Sequence, residues 1–325
     1  MELDEAHTLQ LELAMTNAPG TRIGDYWLDA ELSARSTEVA YRTTHRVLPR
    51  RARVAILNPA LVGFRPAEIQ LMREACILEA MHHSGVPRVF ECGVLERRPW
   101  IATELVEGTS IERAAAERPL AISDALAVVR DAAAILAHAH GRGVVHRNLT
   151  PRSVVLTPTR SFPVCITEWG DASINDSTIP RADDPSTRFY RAPEIAADDR
   201  CDDRADVFAL GVIMFEAATL VLPEPVQKFP GVPVAFHRLL EHMLARLPEA
   251  RPTAATVHAE AARLAEQFAD GDAGIEEVEV ELVDISQATP AMPNLGWIPP
   301  ERMVSLTGQA LGTVPIRTLR RRKEP

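Results

Sequence analysis

The chain is short of cysteine, of long apolar runs and of positive charge, and each shortage closes off a class of protein. Its four cysteines, Cys76, Cys92, Cys165 and Cys201, are scattered with no CxxC pair. That removes the spacing on which a zinc site or a disulfide framework depends, and buried, reduced thiols are the expectation. No stretch approaches the roughly 18 consecutive apolar residues of a membrane span. The opening MELDEAH is acidic and lacks the basic-then-apolar order of a secretory leader, so a cytoplasmic location is expected. The net charge of −10 argues against nucleic acid or an anionic membrane surface as the main partner. What remains is ordinary globular material: 325 residues, 46% hydrophobic and 25% charged, enough for one large or two modest domains.

Hydrophobic patterning divides the chain into three parts. Residues 1–22 carry a short helical pattern (Leu3, Leu9, Leu11, Leu13, Met15) ended by the breakers of NAPG. From 25 to 268, strand-like segments come first and helical ones follow. YWLDAELSA, TEVAYRTTHRV, RVAIL, PRVFECGVL and PWIATELV are rich in β-branched and aromatic residues. AEIQLMREACILEAMHH places Ile69, Met72, Cys76, Leu78 and Met81 at helical spacing. SDALAVVRDAAAILAHAHG, DRADVFALGVIMFEAATL and VAFHRLLEHMLARL then read as helices. A β-rich lobe at about 25–105 before a helical lobe at about 106–268 is an α+β, two-lobed arrangement. Residues 269–325 turn acidic, then proline-rich, then basic, the composition of a flexible tail without its own core.

Within this frame a series of motifs falls in one order: VAIL (54–57), REA (73–75), ELVEG (104–108), HRNLTPRSVVL (146–156), ITEWGDAS (166–173), TRFYRAPE (187–194), DDRADVFALGVIMFE and RPTA (251–254). Together they resemble a bacterial Ser/Thr protein kinase domain over about residues 25–266. The resemblance implies the two-lobed kinase-like fold. It also implies structural roles for Glu74, His146, Arg147, Trp169, Gly170, Glu194, Asp206 and Arg251. Glu194 and Arg251 are expected to form an ion pair, and Asp206 to cap the catalytic-loop backbone. Leu78, Val89, His146 and Trp169 are expected to form an apolar column coupling the lobes. The nucleotide pocket corresponds to Ser33, Arg35, Glu38, Ala55, Thr103, Glu104, Val106 and Val155.

The positions that handle phosphate and metal depart from the family's pattern. Ser33, Arg35 and Glu38 stand where three glycines let backbone N–H groups approach phosphates without a Cβ in the way. Leu57 stands for the lysine that meets the α and β phosphates, which leaves Glu74 without its usual partner. Asn148 stands for the catalytic aspartate, and an amide has no useful proton affinity near neutral pH. Thr150 replaces the lysine at the transferring phosphate, and Ser153 the metal-binding asparagine. Glu168 opens EWG in place of D-F-G. It is one methylene too long for magnesium, which demands near-ideal octahedral geometry.

A kept scaffold with altered chemistry gives the expected function: a pseudokinase, a non-catalytic signalling scaffold or allosteric regulator in Ser/Thr kinase pathways. Its partners are expected to be proteins, such as an active kinase or a phosphopeptide reader, with no cofactor and no metal. The alternative is a weakly active or atypical ATP-dependent Ser/Thr kinase, or another nucleotidyl or phosphoryl transferase, which would use ATP and magnesium. Only LPEPVQKFPGVP separates two helical segments where kinases place a docking helix, which means either a different partner surface or a plain deletion. Histidines 82, 83, 138, 140 and 146 are expected to be structural, because His138 and His140 do not share a helix face. VEVELV (278–283) is either a strand able to join a sheet edge or disordered. RTLRRRKEP reads as a solubilising end. Thr187 matches a threonine near the substrate-positioning loop. Ser173, Ser177, Thr178 and Ser186 are candidates for modification by another kinase.

Overall fold

The computed structural model describes residues 19–116, 118–174, 185–198, 202–223 and 233–269. Most of the segment expected to be a helical extension (1–22), nearly all of the tail (269–325), VEVELV, Cys201, Ser177, Thr178 and most of LPEPVQKFPGVP lie outside them, as does the Ser186 side chain.

The first lobe is one antiparallel sheet. Its strands are β1 (Arg22–Ile23), β2 (Tyr26–Ala34), β3 (Glu38–His45), β4 (Arg51–Leu57), β5 (Val89–Leu95) and β6 (Arg98–Glu104), in the order β1-β2-β3-β4-β6-β5. The five expected strands are present, and a two-residue β1 adds a sixth at the edge. Period-two alternation sorts the side chains. Tyr26, Leu28, Val39, Tyr41, Val54, Ile56 and Trp100 fill one face. Ala40, Ala55, Leu57 and Ile101 fill the other, against helix α1 (Arg65–Met81).

Helix α1 begins after Phe64 with a proline in its first turn, where a missing N–H costs nothing, and ends at His82 in the left-handed region. It buries Ala67, Leu71, Glu74, Ala75, Leu78 and Met81, a stripe at steps of three and four. The sequence pattern had placed Ile69 and Cys76 on that stripe. Both are exposed instead, because the small residues Ala67 and Ala75 let the helix sit close to the sheet and set its rotation. The cysteine expectation is corrected with them. Of the three described cysteines, Cys76 and Cys92 are exposed and Cys165 is buried, its thiol pushed up to about 12 by burial.

In the second lobe α3 (Ile122–His140), following the short α2 (Ile111–Ala114), packs on α5 (Arg204–Thr219) and α7 (Ala254–Ala269). Helix α5 is buried nearly all round, from Ala205 through Phe215 apart from Phe208, so it is the axis of this core. Leu126, Val129, Ile135 and Leu136 of α3 and Val257, Ala261 and Leu264 of α7 belong to the same apolar cluster. Truncating a fully buried residue here, such as Ile213→Ala, should cost about 2–5 kcal/mol. The helices α4 (Pro193–Asp198) and α6 (Val234–Met243) flank the bundle. Two small ladders frame the loops beside the cleft: β7 (Thr109–Ser110) with β9 (Val154–Leu156) and β10 (Val164–Ile166), and β8 (Val144–Val145) with β11 (Ser173–Ile174).

Candidate active-site cleft

Between the sheet and the helices lies a cavity of about 1340 Å³. Its roof is the β2–β3 turn with Arg35 and Glu38, its back wall Gln70 and Glu74 of α1, and its hinge side Thr103 to Val106. Its floor carries Asn148, Thr150, Val155 and Glu168 to Asp171, and Ser33 also lines it.

On β4 the structure departs from the expected pocket, which took Ala55 and no cation from this strand. Ala55 and Leu57 are fully buried beneath α1 and do not line the cavity. Strand β4 exposes the same face every second residue, so the residue that does reach the cavity is Arg53, opposite Thr103 in the ladder. Sequence matching on VAIL had missed it. The signal was present in the two-residue period, which puts Arg53 on the face of Leu57 but further along the strand.

Of the arginines that line the cavity, Arg53 and Arg35 are held by glutamates of the roof and the floor. Arg53 Nη2 donates to Glu38 Oε1 at 2.6 Å, and Arg35 Nη2 meets Glu168 Oε2 at 2.6 Å. The second pair ties the roof to the floor, from a position where a glycine was sought to one where a metal-binding aspartate was sought. Desolvation lowers the affinity of both guanidinium groups for their protons. The surrounding carboxylates, Glu168 and Glu38 for Arg35 and Glu38 and Glu74 for Arg53, outweigh it, so both stay charged.

Glu74 completes the cluster without joining either pair. It is 5% exposed. Burial raises its pKa to about 7, and Glu38 adds to the rise, while Arg53 and Arg35 only partly offset it. Gly170 packs beside it, and a Cβ there would come within 3.3 Å of Glu74 Oε2. One turn earlier, Gln70 Nε2 donates to Asp171 Oδ1 at 3.1 Å and to the Gly170 carbonyl at 3.3 Å, which fixes α1 against the Trp169–Asp171 turn.

On the floor, Asn148 Nδ2 donates to Asp171 Oδ2 at 2.8 Å, which points a donor where a base would have to accept. The Ser153 hydroxyl accepts from the Thr150 N–H and donates to the Thr150 carbonyl, both at 2.9 Å. It is fully buried and turned away from the cavity. Thr150 lines the cavity, and its hydroxyl is buried with no hydrogen-bond partner.

Below this surface the Asp206 carboxylate is fully engaged. Asp206 accepts from the His146 N–H at 2.7 Å, the Arg147 N–H at 2.8 Å and His140 Nε2 at 2.9 Å. Burial pushes its carboxyl up, but the His140 bond and the neighbouring histidines carry it below the usual range. His146 Nε2 bonds the Thr167 carbonyl, which can only accept, and Nδ1 accepts from the Asn148 N–H, which sets the tautomer. Burial lowers its pKa and keeps it neutral. Trp169 stacks edge-on to it with centroids 4.5 Å apart and donates Nε1–H to the Ile166 carbonyl. Leu78 and Trp169 belong to one apolar cluster, with Val89 packed against it. Arg147 and Glu168 hold left-handed backbone at φ 65° and 67°, which costs about 1–2 kcal/mol each and is repaid by these contacts.

Further out, Arg251 makes a bidentate pair with Glu194 at 2.7 and 2.8 Å and donates to the carbonyls of Ala245, Arg246 and Arg204. Thr187 accepts from Arg191 at 3.3 Å. Ser173 is buried in β11, so it is no exposed acceptor for phosphate. Tyr190, which the sequence reading passed over, donates to Glu216 at 2.7 Å on the cavity wall.

Among the described residues no cluster of three His, Cys, Asp or Glu side chains could hold a metal. With Ser153 turned inward and Glu168 bound to Arg35, the donor set does not fit a magnesium ion.

These features define the class of the protein. The protein kinase domain family matches residues 62–261, and the chain belongs to that family. It is 26% identical over 279 residues to the Ser/Thr-protein kinase PknJ of Mycobacterium tuberculosis, covering 78% of this chain and 47% of PknJ. To Pkn1 of Myxococcus xanthus it is 27% identical over 256 residues, covering 71% of this chain and 37% of Pkn1. A crystal structure of a point variant of the M. tuberculosis PknI kinase domain superposes with a TM-score of 0.60 at 26% identity, covering 78% of this chain and 100% of that one. The chain thus spans about half the length, or less, of the curated relatives it matches. Each relative is called a Ser/Thr kinase. The comparisons therefore speak for the phosphotransfer alternative more than for the non-catalytic reading.

Proposed function

We propose that this kinase-family domain works by binding, as a scaffold or allosteric regulator of proteins in Ser/Thr kinase pathways. The observation that carries the proposal is the floor of the cleft. Asn148 stands at the base position with its amide donating to Asp171, and an amide forfeits the ~10²–10⁴-fold that general-base catalysis supplies. The Arg35–Glu168 pair supports the same reading, because a triphosphate would have to break it and then face Glu38 and Glu74. Residues 25–268 form the working unit in this proposal, protein partners are its ligands, and the cytoplasm its location. Among the described residues no helix is long and apolar enough to cross a membrane.

The second reading, an ATP-dependent Ser/Thr kinase or related transferase, is favoured by the names of the relatives and by Arg53, a cation that does line the cavity. If it holds, ATP and magnesium are the cofactors the family implies. The deciding assay is transfer of labelled γ-phosphate from magnesium–ATP to the protein itself and to generic substrates. The proposal expects none above the level of Asn148→Ala. Transfer that Asn148→Ala abolishes would establish the second reading.

A further inference from the structure

The cleft cluster of Arg35, Arg53, Glu38, Glu168 and Glu74 contains two cations and three carboxylates. The two arginines are engaged at 2.6 Å with Glu168 and Glu38, so the third carboxylate is left over. Among the described residues no hydrogen bond or ion pair reaches Glu74, although it is buried and lines the cavity. A buried carboxylate without a donor is costly, and native structures rarely keep one without a use. A second unsatisfied group, the Thr150 hydroxyl, belongs to a residue of the same cavity wall, although the hydroxyl itself is closed off from solvent and has no partner. The cavity wall also carries a chain of hydrogen bonds from Gln70 to Asp171 to Asn148.

From this geometry we propose that the cleft receives an ammonium or guanidinium group on a flexible arm, which pairs with Glu74. The inference rests on the reading that a nucleoside triphosphate is not the natural occupant. A polyanion would add charge beside three glutamates, whereas one positive group makes the cluster neutral. The same chemistry is available from a small polyamine and from a lysine or arginine side chain of a partner protein.

In the absence of a ligand a proton does the same work, which is why the Glu74 pKa sits at about 7. The groups facing it are Glu38 from β3, Arg53 from β4, Arg35 from the roof turn and Glu168 from the floor. The arginines stay charged throughout this range, and a competing proton therefore binds chiefly at Glu74. Ligand affinity should rise with pH up to about 7 and level off above it.

The experiment is titration calorimetry of the full chain with spermidine and, separately, with a capped glycyl-arginyl-glycine peptide, at pH 8 and pH 6. The expected result is one site for one of these probes at pH 8, about tenfold weaker at pH 6. Glu74→Gln should weaken it at least tenfold at pH 8 and remove the pH dependence. Preference for spermidine identifies a free amine, and preference for the peptide identifies a side chain. The proposal is overturned by no binding of either probe at millimolar concentration, by equal binding to Glu74→Gln, or by a pH-independent affinity in the unmodified protein. The last criterion stands even if a variant fails to fold. A parallel titration with magnesium–ATP keeps the two readings apart: tight ATP binding sinks the non-catalytic function, and loss of amine binding sinks only the present inference.

Discussion

Two sets of buried charges sit in this fold, built from the same residue types, and they have opposite character. Beneath the catalytic loop, Asp206 takes three N–H donors and Arg251 takes two carboxylate oxygens and three carbonyls, so every charge is matched. In the cleft the count ends one cation short at Glu74. The first set behaves as a structural fixture, which is costly to break and has no capacity to bind. The second is held less firmly and keeps a free valence. An architecture can therefore keep its internal fixtures matched while the cluster in its cleft carries one carboxylate more than it has cations.

The largest effect should come from breaking the satisfied set. Arg251→Ala leaves Glu194 and three carbonyls without their donor and should destabilise the fold by about 3–5 kcal/mol in urea denaturation. A loss below 1 kcal/mol would mean that this set is no better matched than the cleft. Next is Leu57→Lys. In a cleft-facing position a lysine would be accepted and would quench Glu74. Beneath α1 it buries an ammonium among Ala67, Leu71 and Ala75, and a loss of about 2–4 kcal/mol is expected.

The third test concerns pH. The Glu74 pKa is raised in the folded chain, so between the unfolded carboxyl value near 4.3 and about 7 the native state holds a proton that the unfolded state has released. Stability therefore falls as pH rises through that window and is lowest above it. Glu74→Gln should be more stable than the unmodified protein at pH 8, on the order of 1–3 kcal/mol, and indistinguishable from it at pH 4. Equal melting temperatures at pH 8 would show that the carboxylate has found a partner. The smallest effect belongs to Arg35→Ala. Its pair with Glu168 is about one-third exposed and screened by solvent, so a change of about 0.2–1 kcal/mol is expected, shrinking further in 1 M salt.

Much of the fold was legible in the sequence because it rests on period and order. The β segments, the bounds of α3 and α5, and the motifs ending at RPTA all follow from local pattern. Rotation about an axis was harder to read. Ile69 and Cys76 have helical spacing yet face solvent, because small residues on the neighbouring stripe decide which side of α1 packs. The cleft cation was missed for a related reason. Matching VAIL to a familiar tetrapeptide fixed attention on Leu57, while the pairing of Arg53 with Thr103 is a relation across strands that a linear motif does not encode. The donors and acceptors around Asp206 and Arg251 lie up to 66 residues apart and are equally invisible to composition, but there the family resemblance supplied the partners.

Arg35 and Arg53 are guanidinium groups, which do not deprotonate in any accessible range, so the proton at Glu74 is the one mobile charge in this cluster near neutrality. Any cation entering at pH 6 to 7 has to expel that proton into the medium. The heat of binding should then follow the ionisation enthalpy of the buffer, larger in imidazole than in phosphate by up to one proton's worth, which makes the cleft its own indicator of occupancy.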